Sequence, residues 1–238
     1  MFMDPLWLLI MIPPLLFALF ASWRTRSAFK KYSRVRTLSG LTGAQAAQRL
    51  LASAGIRDVE IVPHHGMLSD HYNPATKKLA LSEAVYGAPS VAAIGVACHE
   101  AGHAIQHAAG YKPLALRSAL VPTANIGSRL GYFVMLGGLM LMIFGGNAQF
   151  GQSIVVLGAV LFSAVLLFQL VTLPVEFDAS ARAKQLAVAH GIVLPQERAG
   201  MDRVLNAAAM TYVAAVVSTI GTLLYFLLRA GLLGGSRD

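Results

Sequence analysis

The chain has 238 residues, of which 56% are hydrophobic and 13% charged, with a net charge of +8. An average globular protein is about 45–50% apolar and about 25% charged, so an ordinary cytosolic enzyme, a disordered tail and a collagen-like fibre are excluded and an integral membrane protein remains. Cys98 is the single cysteine, which rules out an intrachain disulfide framework and a cysteine-based zinc cage.

Apolar runs of roughly 20 residues are what a helix needs to cross the hydrocarbon core, and the first covers Pro5 to Trp23. No basic stretch precedes it and no small-x-small cleavage site follows, so it is predicted to be an uncleaved anchor. Arg24, Arg26, Lys30, Lys31, Arg34 and Arg36 come next; they mark the cytoplasmic side and suit contact with anionic headgroups. Nucleic acid is not a predicted partner, because aromatic and basic residues do not interleave. Residues 40–56 pattern as an amphipathic helix with Thr42 as N-cap and Gly55 as its stop. Val59 to Pro63 and Lys77 to Ser82 pattern as short strands. Between them lies a turn-rich stretch dense in His, Asp and Tyr, which includes His64, His65, Asp70, His71 and Tyr72.

The next helix is predicted from Ser90 as N-cap to a stop at Gly110, and it contains His99-Glu100-Ala101-Gly102-His103, an H-E-x-x-H sequence. Positions i and i+4 share one helical face, so both imidazoles can reach one metal ion. Glu100 is offset by about 100° and can address water beside the metal as general base. A second span follows at about Leu130 to Gly146, after a weaker lead-in from Ala119, and a third at about Ser153 to Leu173, joined by a short polar turn. Gln169 is the main polar residue inside them and is expected to hydrogen bond between helices. Gly127, Gly131, Gly137, Gly138, Gly145 and Gly146 are expected to let helices approach closely. The fourth span runs from about Ala207 to Leu228.

The basic residues after the first span place the N-terminus outside, residues 24–120 in the cytoplasm, the Asn147–Gln149 turn outside and residues 174–206 again in the cytoplasm. Arg182, Lys184, Arg198 and Arg203 agree with that assignment. A zinc hydrolase site needs a third protein ligand. Glu176, just after the third span, lies on the same side as the histidines. His107 is a rival, although at i+8 from His99 it is about 12 Å along the helix axis. Position 109 is Ala, so the metzincin pattern is absent.

The run from Gly66 to Tyr111, the segment LPVEFDASARA and the late LNAAAMTYVAAVVSTIGTLL together resemble the YugP-like neutral zinc metallopeptidases, over most of the chain from Ser39 to Leu228. More distantly the arrangement is similar to HtpX-type membrane proteases. The resemblance implies Zn2+ as cofactor, His99, His103 and Glu176 as its ligands in a gluzincin-like set, Glu100 as base and a cytoplasmic active site. Two departures stand out: Asn73 replaces a common Asp, and Ser180 occupies the position where HtpX-type enzymes carry an Asp that braces a ligand His, with Asp178 nearby.

The predicted fold class is an α-helical integral membrane protein with four transmembrane helices and a small cytoplasmic α+β zincin-like element. Residues 1–23 form the first transmembrane helix and 24–118 a cytoplasmic region with short strands and the H-E-x-x-H helix. Residues 119–173 form a transmembrane hairpin, 174–206 a cytoplasmic helical segment with the third ligand, 207–229 the fourth transmembrane helix and 230–238 a tail. The expected function is a zinc-dependent endopeptidase of the cell membrane, acting on membrane-associated proteins or peptides. His71, Tyr72 and Tyr212 are candidate donors to the oxyanion. The strand Lys77 to Ser82, if its edge is free, would hold an extended substrate. The bilayer is a partner, and a homo-oligomer or a membrane partner protein is compatible with the sequence. The competing reading is a non-catalytic membrane scaffold with a structural metal; a transporter is disfavoured by the lack of buried charge in the spans. Cys98 is expected to be a buried packing residue and His190 a surface one.

A cysteine introduced at Gln149 should react with a membrane-impermeant thiol reagent added outside intact cells. Protection there would overturn the assigned orientation.

Overall fold

A computed structural model describes residues 4–66 and 69–233; residues 1–3, 67–68 and 234–238, the last including most of the expected tail, lie outside the described residues. The chain forms α1 (Pro5–Tyr32), α2 (Gly43–Ser53), β1 (Glu60–His64), β2 (His71–Asn73), β3 (Lys78–Ser82) and the single-turn α3 (Glu83–Tyr86). Then come α4 (Val91–Ala108), α5 (Lys112–Ile126), a π-helical stretch Gly127–Gly131, α6 (Tyr132–Phe144), α7 (Ala148–Ala189) and α8 (Arg198–Arg229). By contact the chain divides into two compact units, one of Met1–Phe20, Leu116–Thr172 and Tyr212–Asp238, the other of Ala21–Ala115 and Leu173–Thr211.

Among the described residues, four helical stretches are long and apolar enough to cross a membrane: Pro5–Tyr32, Lys112–Phe144, Ala148–Ala189 and Arg198–Arg229. In the first unit Met135, Leu139, Val155 and Phe226 form a buried core, while Leu9, Phe133, Phe144 and Val160 stay exposed. Apolar faces outside an apolar core suit lipid, where backbone polar groups are satisfied within each helix. A side chain at Gly131 would meet the backbone nitrogen of Phe162 at 2.7 Å, and one at Gly138 the backbone nitrogen of Val155 at 2.7 Å, so these glycines permit close helix contact. Gly137, by contrast, has no neighbour within 4 Å of a built Cβ. The Oε1 of Gln169 is buried without a hydrogen-bond partner, which departs from the interhelical bond expected of it.

The helices outrun the apolar segments that signal them. α7 has 42 residues and passes through Pro174, about 63 Å at 1.5 Å per residue and roughly twice the ~30 Å hydrocarbon core. A single proline removes one backbone bond of the ladder, and good helix formers such as Arg182, Lys184 and Gln185 sustain the helix beyond it.

The second unit is built around α4. Thr42 caps α2, its Oγ1 accepting from Gln45 N while the Gln45 side chain accepts from Thr42 N, a reciprocal capping box. Ala46, Ala47, Leu50 and Leu51 of α2 join Ile94, Ala97, Cys98 and Ala101 of α4 in one buried core with Leu79 and Leu81 of β3. The sheet order is β1-β3-β2, with β1 parallel and β2 antiparallel to β3. β2 arises inside the stretch read as turns: Asn73 Oδ1 accepts from Ala75 N, Lys77 takes a positive φ of 52°, and Asp70 Oδ1 accepts from Ser82 N at 2.7 Å. Those local bonds close a hairpin too short to show an alternating pattern. The expectation of a free edge on β3 is therefore corrected: both of its edges are paired, and the outer edges belong to β1 and β2.

Replacing Thr42 with Ala removes the cap and should lower the unfolding free energy of the detergent-solubilised protein by about 1 kcal/mol. Denaturant unfolding followed by circular dichroism measures this, with native helix content unchanged.

Candidate metal centre

The helix that carries the histidines begins and ends as its sequence dictates. Ser90 Oγ accepts from Ala93 N at 3.2 Å, and Gly110 takes a φ of +64°, which a glycine adopts without steric cost. Along α4 the buried side chains are mostly small, among them Ala92, Ala93, Ala97, Ala101 and Ala104. They allow neighbouring backbone to come near. The closest approach is at Gly102, where a Cβ would lie 2.6 Å from the Ala179 carbonyl oxygen of α7. Gly102 is one of the two variable positions of the H-E-x-x-H sequence, and here only hydrogen fits.

That contact brings the part of α7 after Pro174 against the histidine face. His99 and His103 stack edge to face with ring centroids 4.8 Å apart. Glu176 Oε2 lies 3.2 Å from His99 Nε2, a contact between residues 77 apart in sequence, and 3.6 Å from His103 Nε2. One ligand atom from each of the three residues falls within 4.8 Å of the others. The Glu176 side chain is 3% exposed, so the carboxylate has exchanged hydration for two imidazoles.

Each histidine is held from behind. Ser180 Oγ lies 3.0 Å from His99 Nδ1, and Gln106 Oε1 lies 3.0 Å from His103 Nδ1. Gln106 Nε2 donates to the Val175 carbonyl and to Asp178 Oδ2, both at 2.8 Å. Asp178 also accepts from Arg182 Nε, and the Arg182 guanidinium lies 5.8 Å from the Tyr111 ring centroid. Burial opposes the charged form of His103, but the adjoining Glu176 carboxylate, Glu100 and Gln106 outweigh it and raise its pKa above the ordinary histidine value. Both rings thus present Nε2 toward Glu176, and two imidazoles with one carboxylate are a donor set that catalytic zinc sites use. The three residues could hold a zinc ion.

Other residues singled out by sequence lie as follows. Glu100 is buried on α4, at 8% exposure. His107 lies outside the cluster of potential ligands; its Nδ1 is 2.8 Å from the Tyr72 hydroxyl. Burial, then the charge of Asp58, raises the Tyr72 phenol above its ordinary value. His71 is exposed on β2, donates from Nδ1 to the Ser69 carbonyl and packs edge-on against His64. His65 is exposed and pairs with Glu83. Tyr212 falls in the other unit. His190 is exposed. Cys98 is fully buried, and burial pushes its thiol up to about 12. Sequence reasoning overlooked Gln106. Its signal was available: a lone amide in an alanine-rich helix, three residues after His103 and so on the same face.

The profile of the family described as "Putative neutral zinc metallopeptidase" matches residues 7–231. "Putative membrane protease YugP" of Bacillus subtilis (strain 168) is 43% identical over 223 residues, covering 94% of this chain and 96% of that protein. Among solved structures, none matches.

Gly102→Ala should force α4 away from α7 and cost about 1–3 kcal/mol of stability. It should also lower the zinc bound per chain, read by thermal unfolding alongside metal analysis of the purified protein.

Proposed function

We propose that this chain, which belongs to the neutral zinc metallopeptidase family, is a multi-pass membrane endopeptidase working at the cytoplasmic face, with His99, His103 and Glu176 holding zinc and Glu100 as general base. The observation that carries this reading is the convergence of two imidazoles and a buried carboxylate from distant parts of the chain. Together with the Glu that follows the first His, they make a gluzincin-like set. Bound zinc supplies Lewis acidity that polarises a peptide carbonyl and acidifies water.

The chain's own residues do the rest. Ser180 and Gln106 hold the rings, so their Nε2 atoms need little reorganisation to bind a metal. Glu100 is adjacent to His99 in sequence but about 100° around the helix, which leaves its carboxylate free to take a proton from water and return it to the leaving amine. β2 carries two of the three candidate oxyanion donors, His71 and Tyr72. The raised Tyr72 phenol keeps its proton at neutral pH, and His71 lies one residue before it. With both edges of β3 paired, an extended peptide would add along the outer edge of β2. The basic residues after the first span support a cytoplasmic site, which would be within reach of membrane-associated proteins and peptides.

Glu100→Gln should keep its zinc and lose cleavage of a casein-like or membrane-protein substrate by about 10²–10⁴-fold. Undiminished cleavage by the zinc-loaded variant would overturn the mechanism.

A further inference from the structure

The two histidines are braced by chemically different partners, and the difference is informative. A serine hydroxyl is both donor and acceptor and rotates to suit its neighbour. Ser180 therefore accepts either tautomer of His99. Gln106 has no such freedom. Its amide is fully buried, and on one side it faces two groups that only accept, the Val175 carbonyl and the Asp178 carboxylate, so its NH2 group must lie there. The carbonyl oxygen must then face His103 Nδ1, and a carbonyl only accepts. His103 must carry its proton on Nδ1, with Nε2 left toward Glu176.

Resting on the zinc-site reading above, we propose that Gln106 is a positioning residue that fixes the tautomer of His103 as a ligand. Asp178 is the residue that orients Gln106. The amide also ties α4 to the turn of α7 from which Glu176 projects, since Val175 directly precedes Glu176. One side chain thus sets the orientation of one ligand and the spacing to another. Asp178 thus reaches His103 through the amide, while Ser180 meets His99 directly, and Arg182 holds Asp178 in turn.

The test uses the full-length protein in detergent, with zinc affinity measured by competition against a chromophoric chelator and the ring nitrogens of zinc-loaded protein observed by 15N NMR. Gln106→Leu should weaken zinc about 10–100-fold, and wild-type His103 should show zinc on Nε2 and hydrogen on Nδ1. Gln106→Glu sets two carboxylates face to face and should also weaken zinc. Adding Asp178→Asn restores a donor opposite the new carboxylate, and this double variant should regain most of the lost affinity. Wild-type affinity in Gln106→Leu, or zinc on Nδ1 of His103 in the wild-type protein, would overturn the proposal. So would a double variant that recovers nothing over Gln106→Glu, which decides the matter even if Gln106→Leu fails to fold. A separate control tests the reading beneath: a His99→Ala, His103→Ala protein that still binds zinc at this affinity would remove the site itself, whatever residue 106 does.

Discussion

A carboxylate taken out of water must be compensated, and the second unit is organised around compensating Glu176. An isolated buried carboxylate is costly enough that it would normally neutralise itself. Here it meets His99 at 3.2 Å and His103 at 3.6 Å. That meeting requires α7 to lie almost backbone to backbone on α4, which explains why a glycine sits opposite Ala179. It also requires the imidazoles to be neither adrift nor turned the wrong way, and Ser180 and Gln106 meet that need. The network ends at Asp178 and Arg182, both about one-third exposed, where solvent takes over.

How much of this was legible in the sequence depended on whether the signal was local. Thr42 and Ser90 were readable as caps because a cap involves residues three apart. The pairing of His99 with His103 was readable because helical spacing alone puts them on one face. Glu176 was reachable through a non-local route: charge counting assigned it a side, and its place at the end of a span made it a candidate. The paired edges of β3 were not legible. Strand order is a long-range property, and β2 is three residues held by Asn73 and Asp70 rather than by an apolar rhythm. The helices extend past the apolar runs for a related reason, since hydropathy marks where a helix turns polar and not where it ends.

Small residues recur wherever two backbones must meet. In the first unit Gly131 and Gly138 face the backbone of Phe162 and Val155; in the second, Gly43 faces the Val85 carbonyl and Gly102 the Ala179 carbonyl. The same device serves helices packed without a hydrophobic drive between them and helices that need to present side chains to a common point. The high alanine and glycine content is thus a geometric requirement of both units and not merely a mark of membrane insertion.

The continuity of α7 through Pro174 has a consequence for how this chain can change length over evolutionary time. A helix has no slack: each residue inserted turns everything beyond it by about 100° and advances it by about 1.5 Å. Between Glu176 and Ala179 there is no loop to absorb such an error, since α7 runs unbroken from Ala148 to Ala189. A single insertion or deletion there would swing the carboxylate away from the face that Ala179 sets against Gly102, whereas one near Asn147, before α7 begins, would leave its phase untouched. Tolerated length changes should therefore gather at the Asn147 turn, while the stretch from Leu173 to Ser180 keeps its residue count even where its residues differ.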